Sequence, residues 1–371
     1  MAWYNASWLY RVGITSQNAK VDEAVTNAYI DLSEMPSEFW THVKNGGGDI
    51  RVTKADGITE VAREVVTCDT GTDTGEIHFD CTGIQTGSDI VWYIYYGNAA
   101  ASDYAVDATY GARNAYGSDY QGIWHNKVDL IDILGNNDFT NSGSADVVGK
   151  LGRGRDFELS ESDYLHKDVS VSGLGGAITA TLSVWVKRES IGAAMMICVG
   201  GNGEFYKYFM LRIQADNTIR ADFGNDANND FKVKWTTDVF TDTTGFHLIH
   251  ATYNAGTIKL YLDAAEKAGT LAGTWAGAVV SPTTYLRQGN TRAGASNAGY
   301  FDGIIDEVRI SNAEKSANWI TTEYNNQNDP ATFWSIGAEE EPIPGVTSYL
   351  TRTSAAVLDR SAAGVLERIA I

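Results

Sequence analysis

Short runs in which apolar and polar residues alternate recur along this chain, and residues 300–310 show the pattern most fully. There an aromatic pair precedes Asp302 and Gly303, a turn-forming pair, and alternation then continues to Ile310. A period of two lets a β-strand bury one face and expose the other. A polar, helix-forming segment follows and ends near Tyr324. With 38 Gly and only 5 Pro, the chain is constrained to strands joined by tight turns.

Composition sets the scale of the fold and excludes some classes of function. The chain has 371 residues, enough for two domains, and its 43% hydrophobic and 20% charged residues are typical of globular proteins. The formal net charge of −19 repels a phosphate backbone, which excludes nucleic acid as a partner. No run of about 18 apolar residues occurs, so we expect no membrane insertion.

Three cysteines are too few for a disulfide-dense scaffold. Cys68 and Cys81 flank a turn-rich segment at 70–75, so they could lie across a hairpin, and the sequence leaves open whether they are bridged. Cys198 lies in the apolar run 195–199, which predicts a buried thiol that behaves as a small hydrophobic side chain.

The first half of the chain contains several strand-like runs separated by turn clusters. Residues 49–53 alternate and stop at Asp56 and Gly57, a strong turn pair. Residues 61–68 and 76–81 form a predicted hairpin around the turn-rich segment. Residues 89–98 are β-branched and aromatic throughout, which predicts a buried central strand.

These runs resemble a bacterial and viral domain family of unknown function that often stands before a LamG-like domain. The resemblance covers residues 5–115 and depends on Trp8, Tyr10 and Arg11 before an alternating strand, and on the Tyr-Tyr-Gly-Asn end of residues 89–98. It implies a β-sandwich and no assigned catalytic residues.

The second half contains strand-like runs in a characteristic order. They are a Gly-rich approach at 149–157, a strand at 179–187, a hairpin at 246–263, and the strand and helix at 300–324. This order resembles that of LamG-like, or concanavalin A-like, jelly rolls, and it implies such a sandwich over residues 123–338. One departure is the turn after Asp263, where residues 264–269 replace the usual Asn-Gly or Asp-Gly pair, so we expect a longer turn.

The predicted fold is all-β, with two tandem β-sandwich (jelly-roll) domains, the second concanavalin A-like, and a short C-terminal tail. The predicted divisions are a first domain at 1–115, a linker at 116–122, a second domain at 123–338, and a Pro-punctuated linker and tail at 339–371. The tail is too short to bury a face alone. It is therefore either a mobile terminus or a segment that docks on another subunit.

Carboxylates are the first place to look for chemistry on a concanavalin-like fold. Glycosidases need two of them about 5 to 10 Å apart around the scissile bond. Asp306 and Glu307 are the best local candidates, but neighbouring strand residues point to opposite faces. Gly303 and Arg309 stand where further acids would be needed, so we predict no catalytic residues and no enzyme activity. The six His form no metal-binding motif, and nothing indicates a nucleotide.

Alternation in three successive strands predicts an outward face that could hold a glycan. If Phe209, Leu211 and Ile213 point into the core, the other face carries Tyr rings with Arg, Lys and Asp, a mixture that stacks on sugars and bonds to their hydroxyls. An ordinary solvated face remains the alternative. The candidate ligand-binding residues are Tyr206, Tyr208, Arg212, Arg220, Asp222, Lys232 and Lys234.

No cofactor is expected to be required. The LamG resemblance implies that a structural Ca²⁺ is possible, held by loop carboxylates and carbonyls. Asp222, Asn225, Asp226 and Asp302 are among the loop acids and amides, but no spacing ties them into one site, so the metal ligands remain unknown.

The first hypothesis for function is a non-enzymatic structural or adhesion protein on a bacteriophage virion, as a fibre, receptor-binding or capsid-decorating component. The sequence begins at Met1 without a secretory signal, as expected for a protein that assembles in the host cytoplasm. The expected partners are other virion proteins through the tail, a host-surface glycan, and further copies in a homo-oligomer or larger assembly.

Three alternatives stay open. One is a secreted or cell-surface bacterial carbohydrate-binding or adhesion module. A glycoside hydrolase is disfavoured by the missing acid pattern. A purely structural role, with neither sugar nor cell contact, is the third.

Overall fold

A computed structural model describes residues 2–200, 208–224, 231–279, 281, 284–293 and 296–342 of the chain. The chain divides into two compact units. Unit 1 comprises residues 1–116 and the chain from Asp329 onward, and unit 2 comprises residues 117–328. Both consist mainly of antiparallel strands with a few short helices, so the predicted all-β class is confirmed. Within the described ranges, no helix is both long and apolar enough to span a membrane.

The described part of unit 1 before unit 2 has seven strands and one α-helix, besides short 3-10 turns, and its central strand is the one that the sequence predicts. The helix is α1 (Ser37–His42). The strands are β1 (Tyr10–Ser16), β2 (Asn27–Asp31), β3 (Arg51–Lys54), β4 (Glu60–Val61), β5 (Arg63–Asp69), β6 (Thr74–Asp80) and β7 (Val91–Tyr96). β7 lies between β1 and β3 and is buried along nearly its whole length, as predicted.

Unit 2 carries eighteen described strands and the helix α2 (Ala317–Asn328). The strands are β8 (Tyr120–Trp124), β9 (Thr140–Ser142), β10 (Ala145–Val148), β11 (Arg153–Phe157), β12 (Tyr164–Lys167), β13 (Thr179–Arg188), β14 (Ala194–Gly200), β15 (Tyr208–Ile213), β16 (Thr218–Gly224), β17 (Phe231–Val239), β18 (His247–Asn254), β19 (Thr257–Leu262), β20 (Ala265–Lys267), β21 (Gly269–Ala272), β22 (Tyr285–Gln288), β23 (Thr291–Ala293), β24 (Ser296–Ala298) and β25 (Gly303–Ser311).

Two large antiparallel sheets form the sandwich of unit 2. The front sheet has the order β21-β17-β16-β15-β14-β22-β12-β9, and the back sheet has the order β10-β11-β25-β13-β18-β19-β20, with β8 also paired to β25. Alternate residues of the two sheets meet in one core, in which Trp124, Phe157, Leu182, Phe223 and Leu260 are buried. Burial of apolar area at about 25 cal/mol per Å² is what holds these layers together.

After unit 2 the chain returns to unit 1 through α3 (Pro330–Phe333) and β26 (Trp334–Glu340). β26 pairs antiparallel with β1 and completes a five-stranded sheet of order β26-β1-β7-β3-β4, which faces the small sheet β2-β6-β5. The Trp334 ring lies against Phe79 and Trp92, and its indole N–H donates to the Tyr29 carbonyl at 2.8 Å. Unit 1 is therefore made from two distant segments of the chain.

The expected domain boundaries differ from this division in two places. The second domain was expected to reach residue 338, but residues 334–340 form a strand of unit 1, because Trp334 completes an apolar core there. The segment 116–122, expected as a linker, contains the start of β8, which pairs with β25. Of the linker and tail predicted at 339–371, the part from residue 343 onward lies outside the described residues, and with it the predicted docking or mobile segment.

One local expectation is wrong, and the structure answers one question that the sequence left open. The turn after β19 is short, since Leu262 pairs with Ala265 and only Asp263 and Ala264 lie between them, both with positive φ, 52° and 62°. Cys68 lies opposite Gly75 in the β5–β6 hairpin and not opposite Cys81. Both are buried free thiols, and burial raises the pKa of each.

Candidate functional site

The outer face of the front sheet carries three of the predicted ligand-binding residues. Arg212 of β15 lies directly opposite Arg220 of β16, and Asp222 lies opposite Met210. The residues between them, such as Leu211 and Ala221, are fully buried in the core. The prediction that Arg212, Arg220 and Asp222 share an outward face is therefore confirmed, while a ligand-binding role for them stays a prediction.

The same prediction is wrong for Lys232 and Lys234. In the register of β16 and β17, Lys232 lies opposite Phe223 and Lys234 opposite Ala221, so both lysines start from the core-facing side. Lys234 is only 8% exposed, and burial lowers its pKa. The Lys232 ammonium donates to the Gly273 carbonyl at 2.8 Å. Long lysine stems can cover apolar surface at the margin of a core while their charged ends reach polar groups.

The residue that occupies the outward position is Trp235, which the sequence-based prediction missed. Trp235 lies opposite Arg220, so Arg212, Arg220 and Trp235 form a row across three neighbouring strands. We call these three side chains the Arg–Trp row. All three are partly exposed. In β17, lysines alternate with large apolar residues. Near the edge of a sandwich either set of alternate side chains can face the core, so the local sequence does not show which set faces outward.

The two arginines of the Arg–Trp row are paired unequally with the carboxylate of Asp222. Asp222, 1% exposed, accepts hydrogen bonds from the Arg220 guanidinium, from Nε at 2.9 Å and from Nη2 at 2.5 Å. Arg212 approaches the same carboxylate less closely, with its Nε 3.6 Å from Asp222 Oδ2. That Nε is buried and has no hydrogen-bond partner among the residues that the structure describes. Within those residues, one carboxylate therefore serves two guanidinium groups, which leaves an excess of positive charge on this part of the sheet.

Apolar residues cover the sheet beside the row. Met195, Cys198, Met210 and Tyr285 form a buried cluster on the outer side of β14, β15 and β22. Cys198 is fully buried, which confirms the predicted buried thiol, and burial raises its pKa to about 11. The cluster supports the strands from which Arg212 and Arg220 project.

The structure describes the backbone position of one of the two predicted tyrosines. Tyr208 begins β15, opposite Gly200 of β14. Tyr206 lies outside the described residues.

The outer face of the back sheet is occupied by α2. The Trp185 indole donates to Gln327 Oε1 at 2.6 Å, and His250 Nε2 contacts Glu323 at 2.8 Å. Arg309 Nη1 donates to the same carboxylate at 3.0 Å. Although burial opposes ionisation, these contacts hold the pKa of Glu323 below its usual range. The helix α2 covers the outer face of the back sheet. The partly exposed Arg–Trp row lies on the opposite face of the sandwich, that of the front sheet.

The carboxylates that sequence reasoning weighed for catalysis are both buried. Asp306 accepts hydrogen bonds from the backbone N–H groups of Lys150 and Leu151, at 2.8 and 2.9 Å, and is 0% exposed. Burial, with the adjacent charge of Glu307, raises its pKa. Glu307 contacts His125 and the Arg309 guanidinium. Both carboxylates thus bond to the fold's own groups.

The expected strict alternation at Asp306 and Glu307 is wrong. Glu307 has a φ of 48°, and the β13–β25 register shifts between Ser183 and Trp185. This β-bulge places Asp306 opposite Trp185 and Arg309 opposite Ser183, so residues an odd number apart share the face that α2 covers.

A family comparison agrees with this geometry. Residues 161–321 match the family model Laminin_G_3, described as the concanavalin A-like lectin/glucanases superfamily. This region is a concanavalin A-like domain. The predicted concanavalin A-like fold of the second half is thereby confirmed, and its strands β12 to β25 carry the Arg–Trp row. The proposed identity of residues 5–115 stays a prediction.

Several solved structures are similar to the chain at low identity. Domain 4 of AbnA, a GH43 extracellular arabinanase from Geobacillus stearothermophilus in complex with arabinotriose, is 18% identical, with a TM-score of 0.43, over 55% of this chain and 97% of that one. The botulinum neurotoxin serotype D binding domain is 17% identical, with a TM-score of 0.40, over 56% and 51%. The binding domain of Paraclostridial Mosquitocidal Protein 1 is 12% identical, with a TM-score of 0.43, over 56% and 52%.

The two toxin matches thus span about half of the toxin binding domains. No curated protein matches the chain.

An acidic cluster lies in the concanavalin A-like domain, apart from the Arg–Trp row. One carboxylate oxygen from each of Asp156, Glu158 and Glu189 lies within 4.8 Å of the others. Burial and the charges of Asp302 and Asp163 raise the pKa of Asp156, and the charge of Asp156 raises that of Glu158. Carboxylate oxygens are the ligands that Ca²⁺ prefers, and these three side chains would supply only part of the about six to eight oxygens that it takes.

Of the residues named for Ca²⁺ from the sequence, only Asp302 is near this cluster. Its Oδ1 accepts the Leu159 N–H at 3.0 Å. Asp222 is instead paired with Arg220. Asn225 and Asp226 lie outside the described residues.

Proposed function

We propose that the concanavalin A-like domain holds a carbohydrate on the Arg–Trp row without cleaving it. The observation that supports this is the partly exposed line of Arg212, Arg220 and Trp235 on the front sheet. An aromatic ring offers a flat apolar surface to a pyranose ring, and guanidinium N–H groups donate to its hydroxyl oxygens. Few polar groups beside an aromatic surface are typical of sugar and small-ligand sites.

Binding without catalysis is supported by the state of Asp222 beside the row and of Asp306 and Glu307 on the back sheet. Glycoside hydrolysis needs two carboxylates about 5 to 10 Å apart, one of which must donate or accept a proton at the scissile bond. The carboxylate beneath the row, Asp222, is buried and bonded to Arg220. Asp306 and Glu307 are buried against the chain's own backbone and side chains.

A narrower form of the proposal is adhesion at the surface of a bacteriophage virion. Its support is the resemblance of residues 5–115 to a bacterial and viral family, and a secreted or cell-surface adhesion module is the competing form. Immunogold labelling of source particles, with mass spectrometry of purified virions, tests it. Virions that lack the polypeptide would exclude this form and leave glycan binding intact.

The experiment for glycan binding is a glycan array probed with the full chain, followed by titration of the best ligand. We expect Trp235→Ala to weaken binding by about tenfold or more, because a central aromatic contact is lost. Tyr110→Ala is the matched control, since Tyr110 is a partly exposed aromatic residue of unit 1. Absence of binding to every glycan would overturn the proposal. Release of reducing ends from bound polysaccharide would overturn its non-enzymatic part.

A further inference from the structure

The Arg–Trp row carries a positive charge that a neutral sugar would leave without a counter-charge. Its two guanidinium groups share one carboxylate, and Arg220 takes that carboxylate through two nitrogens. Arg212 lies 3.6 Å from it, with a buried Nε that makes no hydrogen bond to any described residue. A buried donor without an acceptor is costly, and most buried polar groups in proteins have a partner.

A second unsatisfied guanidinium lies on the same face of the front sheet. Arg287 of β22 is opposite Cys198 of β14, which is opposite Met210 of β15. Arg287 is 3% exposed, and its Nη2 lies 2.6 Å from Asp168 Oδ1. Within the described part of the chain, its Nε and Nη1 are buried and have no hydrogen-bond partner. The described residues of this face therefore offer more guanidinium donors than their carboxylates accept.

We propose that this face selects anionic glycans, with Arg212 as the residue that pairs with a carboxylate or sulfate of the sugar. The proposal depends on the carbohydrate-binding function inferred above and specifies its ligand class. Charge-assisted bonds from a guanidinium to a carboxylate or sulfate are stronger than those to a neutral hydroxyl. Trp235 supplies the stacking surface for the sugar ring, two strand spacings, or about 10 Å, from Arg212.

The rest of the chain argues for a short acidic glycan and against a densely charged polyanion. The net charge of −19 creates a repulsive field that grows with the length and charge density of an approaching polyanion. Salt screens the distant negative charges of the chain more than the nearby arginines, so a single acidic group can still bind at the row. Nucleic acids, with a charge on every nucleotide, are disfavoured by the same field.

The test compares acidic oligosaccharides with neutral partners of matched length, using the full chain and titration calorimetry. The pairs are sialyllactose with lactose, trigalacturonate with its carboxyl-reduced form, and a hyaluronan hexamer with its carboxyl-reduced form. We expect the acidic member of at least one pair to bind about tenfold or more tightly than its neutral partner, and the difference to shrink in high salt.

Three variants locate the effect on the row. Arg212→Gln should remove the preference for the acidic member, and Arg212→Lys should keep part of it because the charge remains. Arg153→Gln is the matched control, because Arg153 lies on β11 of the back sheet. Circular dichroism and thermal unfolding show that each variant is folded.

Outcomes separate the two proposals. If the neutral member of every pair binds as tightly as the acidic one, the anionic preference is overturned while glycan binding stands. If Arg212→Gln keeps the preference, the assignment to Arg212 is overturned. If neither member of any pair binds and an array detects no other glycan, the underlying carbohydrate-binding function fails.

Discussion

Trp235 lies directly opposite Arg220 across β16 and β17, and this pair determines which side chains of β17 face outward. With Trp235 and Val233 on the outer side, Lys232 and Lys234 must start from the core-facing side. Compared with the face predicted from the sequence, the observed outer face has an additional aromatic ring beside a guanidinium and lacks the two lysine ammonium groups. A ligand at this position would meet a flat apolar surface and directional donors.

The tight β19–β20 turn predicts a stabilising substitution. Ala264 has a φ of 62°, a backbone conformation that costs about 1 kcal/mol for an L-residue with a Cβ and little for glycine. Ala264→Gly should therefore raise the free energy of unfolding of unit 2 by about 0.5 to 1 kcal/mol, measured by urea unfolding. Ala265→Gly, one residue later at the start of β20, should lower it. A loss of stability in Ala264→Gly would contradict the proposed turn geometry.

Sequence alone predicted strands well wherever the pattern of buried side chains along the strand is unbroken. The central strand β7 and the β18–β19 hairpin follow from uninterrupted apolar or alternating runs. The Asp263–Ala264 turn could not be predicted, because Asp263 Oδ1 accepts the Leu248 N–H, a contact with a strand fifteen residues away in sequence. Such tertiary contacts hold residues in conformations that their local preference disfavours.

The candidate site shows the same limit. Arg212, Arg220 and Asp222 were found from parity within β15 and β16, where Phe209 and Phe223 fix the inner face. In β17, lysines and large apolar residues alternate, so the alternation alone could not show which set of side chains faces outward. Trp235 was missed for this reason. The return of β26 to unit 1 depends on pairing with a strand more than three hundred residues earlier, for which a local pattern carries no signal.

His247 should make the stability of unit 2 depend on pH. Its Nδ1 lies 2.6 Å from Asp263 and its Nε2 lies 3.3 Å from Asp242. The hydrogen bond to Asp263 is the main cause of a raised pKa for His247. A histidine with a raised folded pKa stabilises fully below its unfolded pKa of about 6.5, and this stabilisation is lost as pH rises through the folded value.

We therefore expect the difference in melting temperature between the native protein and His247→Gln to be largest near pH 5.5 and to shrink towards pH 9. Thermal unfolding at stepped pH measures it, with His42→Gln in unit 1 as the control for the same change at another partly exposed histidine. A difference that grows with pH would contradict the ion pairs.

Glu323 holds α2 on the back sheet through its contacts with two buried side chains, Arg309 and His250. Removing its charge by Glu323→Gln leaves Arg309 and His250 without their shared carboxylate. We expect a loss of about 3 kcal/mol in the unfolding free energy of unit 2, since removing one partner of a buried ion pair is costly and the Arg309 guanidinium keeps only its contact with Glu307. Glu161→Gln, at an exposed position, should change it little. Equal, small effects of both variants would show that the network adds no stability.

The acidic cluster predicts a response to Ca²⁺. Without a cation, Asp156, Glu158 and Glu189 repel one another when ionised, and the pKa of each is raised. Because the folded pKa values are raised, this destabilisation is present above them and disappears as pH falls. We expect millimolar CaCl₂ at pH 7.5 to raise the melting temperature, and Glu158→Gln to raise it without Ca²⁺ while weakening the response. An identical Ca²⁺ response in Glu158→Gln would exclude this cluster as the site.

Unit 1 should depend on the segment that follows unit 2. Trp334 is 3% exposed, its ring packs on Phe79 and Trp92, and β26 supplies an edge strand to β1. Trp334→Ala should lower the unfolding free energy of unit 1 by about 3 to 5 kcal/mol, the usual cost of truncating a buried Trp. Ser335→Ala, at the next and exposed position, is the control.

A chain that ends at residue 328 should lose the unit 1 transition in calorimetry and keep that of unit 2. A synthetic peptide of residues 329–342 should restore the unit 1 transition in a concentration-dependent way, because binding to the folded state alone raises its stability by mass action. Survival of an unchanged unit 1 transition in the shortened chain would mean that β26 adds no stability to the sheet that it completes.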